Sequence, residues 1–347
     1  MSGSTAAQMV VHPWEWIALS AVALGLILFD LFGHVRKAHE PTLKEAGIWS
    51  LFYIGFAILF GGVLFMRHGS TFAGEYFAGF LTEKALSLDN IFVFIIIIAS
   101  FRVPRKYQQK VLLYGIVMAL VMRLVFILVG ATIIERFVWV FFIFGVFLFY
   151  TAIKQVMEGV QEPGALENEE YEPNGIVRYA VKRFNVTDGY VGQKLLVRRE
   201  GKTWMTPLLL CIIAIGSIDL MFALDSIPAV YGLTKEPFIV FSANVFALLG
   251  LRQLFFLIDG LLDKLLYLHY GLAFILGFIA VKLVLHAFHG YDMLTFIPEP
   301  DITVSLLVII GTIVVTVIAS MWATRRRRNR AQDDDGEGDA PTGNAFE

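Results

Sequence analysis

FLTEKALSLDNIFVFIIIIASF, residues 80–101, carries two incompatible signals within one helix length. Its second half is isoleucine and phenylalanine, the surface of a helix in hydrocarbon. Glu83, Lys84 and Asp89 stand within two helical turns just before it. A charge at the centre of a bilayer costs about 2.5–3.5 kcal/mol on insertion scales, so each one must be offset or required.

The rest of the chain settles the solvent. Of 347 residues, 57% are apolar and 17% charged, which is outside the usual mix of a soluble domain. An all-α polytopic membrane bundle is expected. Nine windows are long enough to cross a bilayer, at 15–33, 47–66, 75–100, 109–133, 137–156, 205–231, 237–258, 264–288 and 302–323. The N-terminus has no basic n-region, so 15–33 reads as a retained span. With the N-terminus outside and the C-terminus cytoplasmic, twenty Lys and Arg fall in inner connections and only Arg67, Arg136 and Lys235 in outer ones. The chain divides into two N-terminal spans (1–74), three spans (75–156), a cytoplasmic loop (157–204), three spans (205–290), a last span (291–324) and a tail (325–347). A plasma (inner) membrane location follows from this scheme.

The tail, basic and then acidic with Gly and Pro breakers, is expected to be disordered. In the 157–204 loop, Ile176, Val177, Ala180, Val181 and Phe184 recur at helical spacing beside Arg178, Lys182 and Arg183, which predicts a short basic amphipathic helix. KLLVRREGKTW, residues 194–204, alternates around a polar turn and predicts a hairpin.

The chain repeats itself. SLDNI at 87–91 returns as ALDSI at 223–227, with Glu83 and Asp219 each six residues before the aspartate. Arg123 and Lys154 have counterparts in Arg252 and Lys282, and the four landmarks keep their order at spacings of 136, 136, 129 and 128 residues. Each copy holds three spans, an odd number, so the second must enter from the opposite face. An inverted repeat of two three-helix units is the architecture of secondary transporters, with the site at the midplane between the copies.

The donors near that midplane are Glu83, Asp89, Asn90, Asp219, Asp225 and Ser226, with Ser87 one turn from Glu83. Carboxylate, amide and hydroxyl oxygens without thiolate or imidazole suit the hard cations Ca²⁺, Mg²⁺ and Mn²⁺. Six residues advance about 600° on a helix, so Glu83 and Asp89 share no face unless the helix breaks, whereas Glu83, Ser87 and Asn90 do. Pro228 cannot donate to the Leu224 carbonyl, so a kink is expected near Asp225. The competing reading is internal salt bridging, in which Lys84, Arg123 and Arg252 neutralise the acids and hold the bundle together.

Outside the repeat, Asp30 reads as an interfacial partner of Arg36 or Lys37, or as a ligand on the access path. His34 and His39 fall in an inner loop. His286 and His289, at the outer end of span eight, are candidates for proton release. Cys211, the single cysteine, has no partner for an internal disulfide and reads as a core residue.

At EKALSLDNIFVF and DLMFALDSIPAV the sequence resembles the TerC family of integral membrane proteins, named for tellurium resistance and including the Alx-type manganese exporters. FDLFGHVRKAHEPTLKEA, FRVPRKYQQKVLLYGI, VTDGYVGQKLLVRREGK and ANVFALLGLRQLFF extend the resemblance over about residues 25–290. It implies a metal-ion exporter for Mn²⁺, with Glu83, Asp89, Asn90, Asp219 and Asp225 as the motif residues, in a fold similar to the LysE-like transporters. A tellurium oxyanion would be repelled by these carboxylates.

Two other classes compete. A membrane scaffold would recruit soluble stress-response proteins through the inner loop and tail. A LysE-like exporter of a cationic amino acid would use Arg123 or Arg252 to hold the substrate carboxylate. No nucleophile with a base, phosphate loop or cofactor fingerprint stands out, so neither an enzyme, nor a resident cofactor, nor nucleic-acid binding is expected.

Overall fold

The computed structural model describes residues 9–32, 42–159, 173–199, 201–258, 267–294 and 296–337. Helices account for nearly all of it: α1 (Pro13–Asp30), α2 (Leu43–His68), α3 (Ser70–Ser100), α4 (Arg105–Arg136), α5 (Val140–Gly159), α6 (Gly175–Arg183), α7 (Pro207–Tyr231), α8 (Pro237–Leu249), α9 (Leu251–Ile258), α10 (Leu268–Gly290) and α11 (Ile302–Glu337). Local chemistry sets the starts. Proline opens α1, α7 and α8, where its missing N–H costs no hydrogen bond, and the Thr42 hydroxyl caps α2 by accepting from Glu45 N at 3.2 Å. Gly69, at φ +91°, lets the chain turn from α2 into α3 without a residue to spare.

Among the described residues eight stretches are long and apolar enough to span a membrane, α8 and α9 counting together as Pro237–Leu257. The ninth expected window lies in α3. Its 31 residues would reach about 46 Å at the helical rise, but it carries Glu75, Glu83, Lys84 and Asp89.

Burial orders the bundle. Of the Pro237–Leu257 window 94% is buried, against 11% of Ile302–Thr324, so α8 and α9 form the centre while α11 lies at the rim. α1 and α2 also turn large apolar side chains outward, Ile17, Leu51 and Met66 among them, as a lipid-facing layer does. In the middle α3 packs on α8, α4 packs on α7, and α5 runs against α10; α2 lies over α3 and α9. The α5–α10 contact is close because Gly145 faces α10. A Cβ there would stand 2.5 Å from Val284 Cγ2 and 3.2 Å from the Ala280 carbonyl oxygen.

Between α5 and α7, α6 occupies the segment with helical periodicity, and the Asn174 side chain both caps it, accepting from Val177 N, and donates to Ser217 Oγ at 2.7 Å. The hairpin is β1 (Leu196–Arg199) paired antiparallel with β2 (Lys202–Met205), Arg199 opposite Lys202, with Gly201 at φ +75° in the turn. Lys110 Nζ on α4 donates to the Gln193 carbonyl at 2.7 Å and ties this region to the bundle.

Two expectations are corrected. α11 continues through the basic run to Glu337, where a disordered tail was expected from 325; arginine, alanine and glutamine favour helix and no glycine intervenes before Gly336. Residues 338–347 lie outside the described residues. Neither aspartate helix is broken: α3 and α7 run through Asp89 and Asp225 without interruption. Pro228 sits in the last turn of α7, so the donor missing at the Leu224 carbonyl removes one bond near an end that has few left to make. The interruption falls instead at Gly250, between α8 and α9.

Candidate functional site: a buried arginine between two acidic helices

Arg123, on α4, is fully buried and reaches three other helices. Its Nε donates to Asp219 Oδ2 at 3.1 Å and its Nη2 to Asp219 Oδ1 at 3.4 Å, a two-pronged grip on α7. Nη1 donates to Glu83 Oε1 on α3, to Ser226 Oγ on α7 at 3.0 Å and to Asn244 Oδ1 on α8 at 2.7 Å. Glu83, Asp219, Ser226 and Asn244 are as buried as the arginine. The position follows from the packing. α4 lies on α7 with glycines at the crossing, and α3 lies on α8, so the four helices converge where each carries its polar residue.

Glu83 and Asp219, equivalent in the sequence repeat, therefore meet on one guanidinium. Part of the salt-bridge reading holds here, since Arg123 neutralises acids of both copies. It does not satisfy the site. Glu83 Oε2 is buried with no hydrogen-bond partner, and so is Ser87 Oγ, one turn further along the same face of α3; Asn90, a turn beyond, is buried too. A buried polar atom without a partner costs about 1–3 kcal/mol and calls for an explanation.

Asp225 and Lys84 make other contacts. Asp225, six residues after Asp219 on an unbroken helix, accepts from Thr151 Oγ1 of α5 at 3.2 Å. Asp89 lies on α3, and its side chain is outside the described residues. Lys84 meets no acid through the bond it makes: its ammonium donates to the Ala247 carbonyl at 3.0 Å, in the last turn of α8. Gly250 interrupts the helix there, leaves carbonyls without donors, and so favours a cation. Among the described residues no three His, Cys, Asp or Glu side chains gather as a ligand group. The donor set around Glu83 and Asp219 is two carboxylates with hydroxyls and amides.

Arg252, the counterpart of Arg123, does not approach these acids. Its Nη2 donates to Asp30 Oδ1 at 2.8 Å and its Nη1 to Gln109 Oε1 at 3.4 Å. Asp30 is buried, 2% exposed, and is bound by Arg252; the expected pairing with Arg36 or Lys37, and His34 and His39, lie outside the described residues. The tie is long-range, 222 residues apart, so no local pattern announces it. His286 and His289 both direct Nδ1 at Glu299, at 3.1 and 2.8 Å, and close the end of α10 onto the next connection. Cys211 is a buried free thiol.

Asn244 and Thr151 were missed by sequence reasoning. Asn244 left a signal, an amide inside the apolar run PFIVFSANVFALL; Thr151 left none beyond a hydroxyl at helical spacing.

The family profile described as "Integral membrane protein TerC family" matches residues 68–328. An uncharacterized membrane protein of Mycobacterium tuberculosis (strain ATCC 25618 / H37Rv) is 48% identical over 328 residues, 91% of this chain and 81% of that one. One from Myxococcus xanthus is 35% identical over 316 residues, 91% of this chain and 94% of the other. Alx of Escherichia coli (strain K12), provisionally described as a membrane-bound redox modulator, is 35% identical over 323 residues, 90% of this chain and 96% of its own. No solved structure matches the chain. On the extent of the profile match and of these relatives, the chain belongs to the TerC family of integral membrane proteins.

Proposed function

We propose that the chain is a secondary transporter that exports a divalent cation, with Mn²⁺ as its cargo, through the space between α3, α4, α7 and α8. The observation that carries this reading is the pair of orphaned oxygens, Glu83 Oε2 and Ser87 Oγ, fully buried beside a second carboxylate. A purely structural ion-pair cluster has no use for them. A hard cation does, since Mn²⁺, Mg²⁺ and Ca²⁺ take mixed carboxylate, amide and hydroxyl oxygens.

In this reading Glu83 and Asp219 are the anionic ligands, with Ser226, Ser87 and Asn90 as neutral donors. Asp89 and Asp225 serve the path into and out of the site. The helix pairings support the inverted repeat: α3 on α8 and α4 on α7 are the two contacts that a twofold axis would exchange, and α5 on α10 is the contact it would leave in place. In this reading α3 crosses as a ninth span, and the Lys and Arg of the connections favour an outside N-terminus, with the α6–hairpin segment and the C-terminus in the cytoplasm of a cell whose plasma membrane holds the protein. The description of Alx suggests redox chemistry in a relative; here the single cysteine, buried Cys211, supplies no dithiol pair.

The test is metal uptake into inverted membrane vesicles containing the protein, with Mn²⁺, Ca²⁺, Mg²⁺ and Zn²⁺ in turn. Mn²⁺ accumulation above that of protein-free vesicles, lost in Glu83→Gln and Asp219→Asn variants of equal abundance, is expected. Equal flux with and without the protein for every ion overturns the reading.

A further inference from the structure

We propose that Arg123 is a tethered counter-cation: between cargoes its guanidinium takes the place of the transported ion between Glu83 and Asp219, so that the empty carrier reorients without carrying protons. This rests on the export reading above and adds what neutralises the site once the ion has left.

The oxygens that receive Arg123 are those a hard cation would take: Glu83 Oε1, both carboxylate oxygens of Asp219, Ser226 Oγ and Asn244 Oδ1. Guanidinium and metal ion therefore exclude one another, and cargo binding requires the arginine to withdraw. When cargo leaves, two carboxylates remain in a water-poor interior, where two uncompensated charges are prohibitive. Carriers can meet this by protonating the acids. Here a cation is already present. Arg123 binds both acids, so its one charge is shared between the two carboxylates of the empty site. That charge is permanent, because a guanidinium does not lose its proton in a protein.

The second arginine shows that this engagement is selective. Arg252 holds the equivalent place in the repeat but is committed to Asp30 on α1. At the spacing that relates the two arginines, 129 residues, the counterpart of Asn244 is Gly115, so no amide stands at that place in the first copy, and the amide Arg252 does reach is Gln109, at 3.4 Å. The seat is built for one arginine. Its charge also sets selectivity: a monovalent ion that displaces the guanidinium gains no charge on the acids, whereas a divalent ion gains one.

The full-length protein in proteoliposomes tests this with Mn²⁺ alone as the probe. Wild-type protein should release trapped Mn²⁺ at equal pH on both sides, with K⁺ and valinomycin as the charge return, and an internal pH dye should report no proton entry tied to the flux. In Arg123→Gln the acids lose their resident cation, so Mn²⁺ should bind the purified, monodisperse variant about ten- to a hundredfold more tightly, the worth of charge-assisted hydrogen bonds that no longer compete. Its empty return should fail. The ratio of isotopic Mn²⁺/Mn²⁺ exchange to net efflux should then rise at least tenfold, and Arg123→Lys should bring the ratio back toward wild type. Should Arg123→Gln not fold, the Lys variant and the wild-type proton measurement decide alone. Obligatory proton movement in the wild type, an unchanged or weaker affinity in Arg123→Gln, or a high exchange ratio in Arg123→Lys would each overturn the proposal. Absence of any wild-type Mn²⁺ flux would instead remove the export reading beneath it.

Discussion

Neutralising Asp30 should expose how the first helix is fastened to the bundle. Asp30 and Arg252 meet at 2.8 Å with side chains 3% and 4% exposed, and Gln109 Oε1 lies 3.4 Å from the same guanidinium. Asp30→Asn leaves that guanidinium buried with its main counter-charge gone, and it cannot escape by deprotonation. Removing one partner of a buried pair costs about 3–5 kcal/mol, against a total stability for a typical domain of about 5–15 kcal/mol. Arg252→Gln should cost less, because a stranded Asp30 can take up a proton. The double variant Asp30→Asn, Arg252→Gln keeps the shapes and loses both charges, so it should return to within about 1–2 kcal/mol of wild type, a coupling of about 2–4 kcal/mol. The assay is equilibrium unfolding in mixed micelles or by steric trapping in bicelles, on all four proteins of the cycle. Additive single effects, with a coupling below about 0.5 kcal/mol, would refute the idea that this pair fastens α1.

Specific contacts set the other expected outcomes. Gly145→Leu should push α5 away from α10 and destabilise the protein by about 1–3 kcal/mol or more, because a backbone carbonyl as well as Val284 lies against that glycine; unchanged thermal stability would contradict the close approach. A cysteine at exposed Lys182 of α6, in a Cys211→Ser background, should be labelled by an impermeant maleimide only in inverted vesicles, and labelling in intact cells would reverse the orientation. Asp89→Asn and Asp225→Asn should each strongly reduce Mn²⁺ efflux, with the double variant little worse if both serve one path; wild-type efflux from a well-expressed double variant would exclude these residues from it. Partial burial pushes the Glu299 carboxyl up, but the hydrogen bonds and charges of His286 and His289 outweigh it and hold the group below the usual carboxylate range. Its folded pKa is depressed, so its contribution to stability is complete above the unfolded value of about 4.3 and is lost as pH falls through the lower folded value. Glu299→Gln should flatten that acid limb in thermal melts at pH 3–6, and an unaltered limb would dismiss the linkage.

The sequence alone settled the features that can be counted along a single helix or strand. Apolar length demanded a helical membrane bundle, since backbone polar groups in lipid can be satisfied only within helices or closed barrels. Periodicity was enough for α6, and alternation around Glu200–Gly201 for the β1–β2 hairpin. The spaced recurrence of Glu83 and Asp219 marked the two acids that meet in the core. What the sequence left undecided was which charge neutralises which. Lys84 is the nearest cation to Glu83 in the chain, yet it caps a helix end created by the interruption at Gly250. Asp30 is bound by Arg252, 222 residues further along the chain. Asp225 matches Asp89 in the repeat, and on an unbroken α7 it meets Thr151 of α5. Ion pairs in a low-dielectric core are chosen by how helices from distant parts of the chain cross, because a buried charge must take whichever partner the packing brings within about 3 Å. That crossing is a property of the tertiary structure.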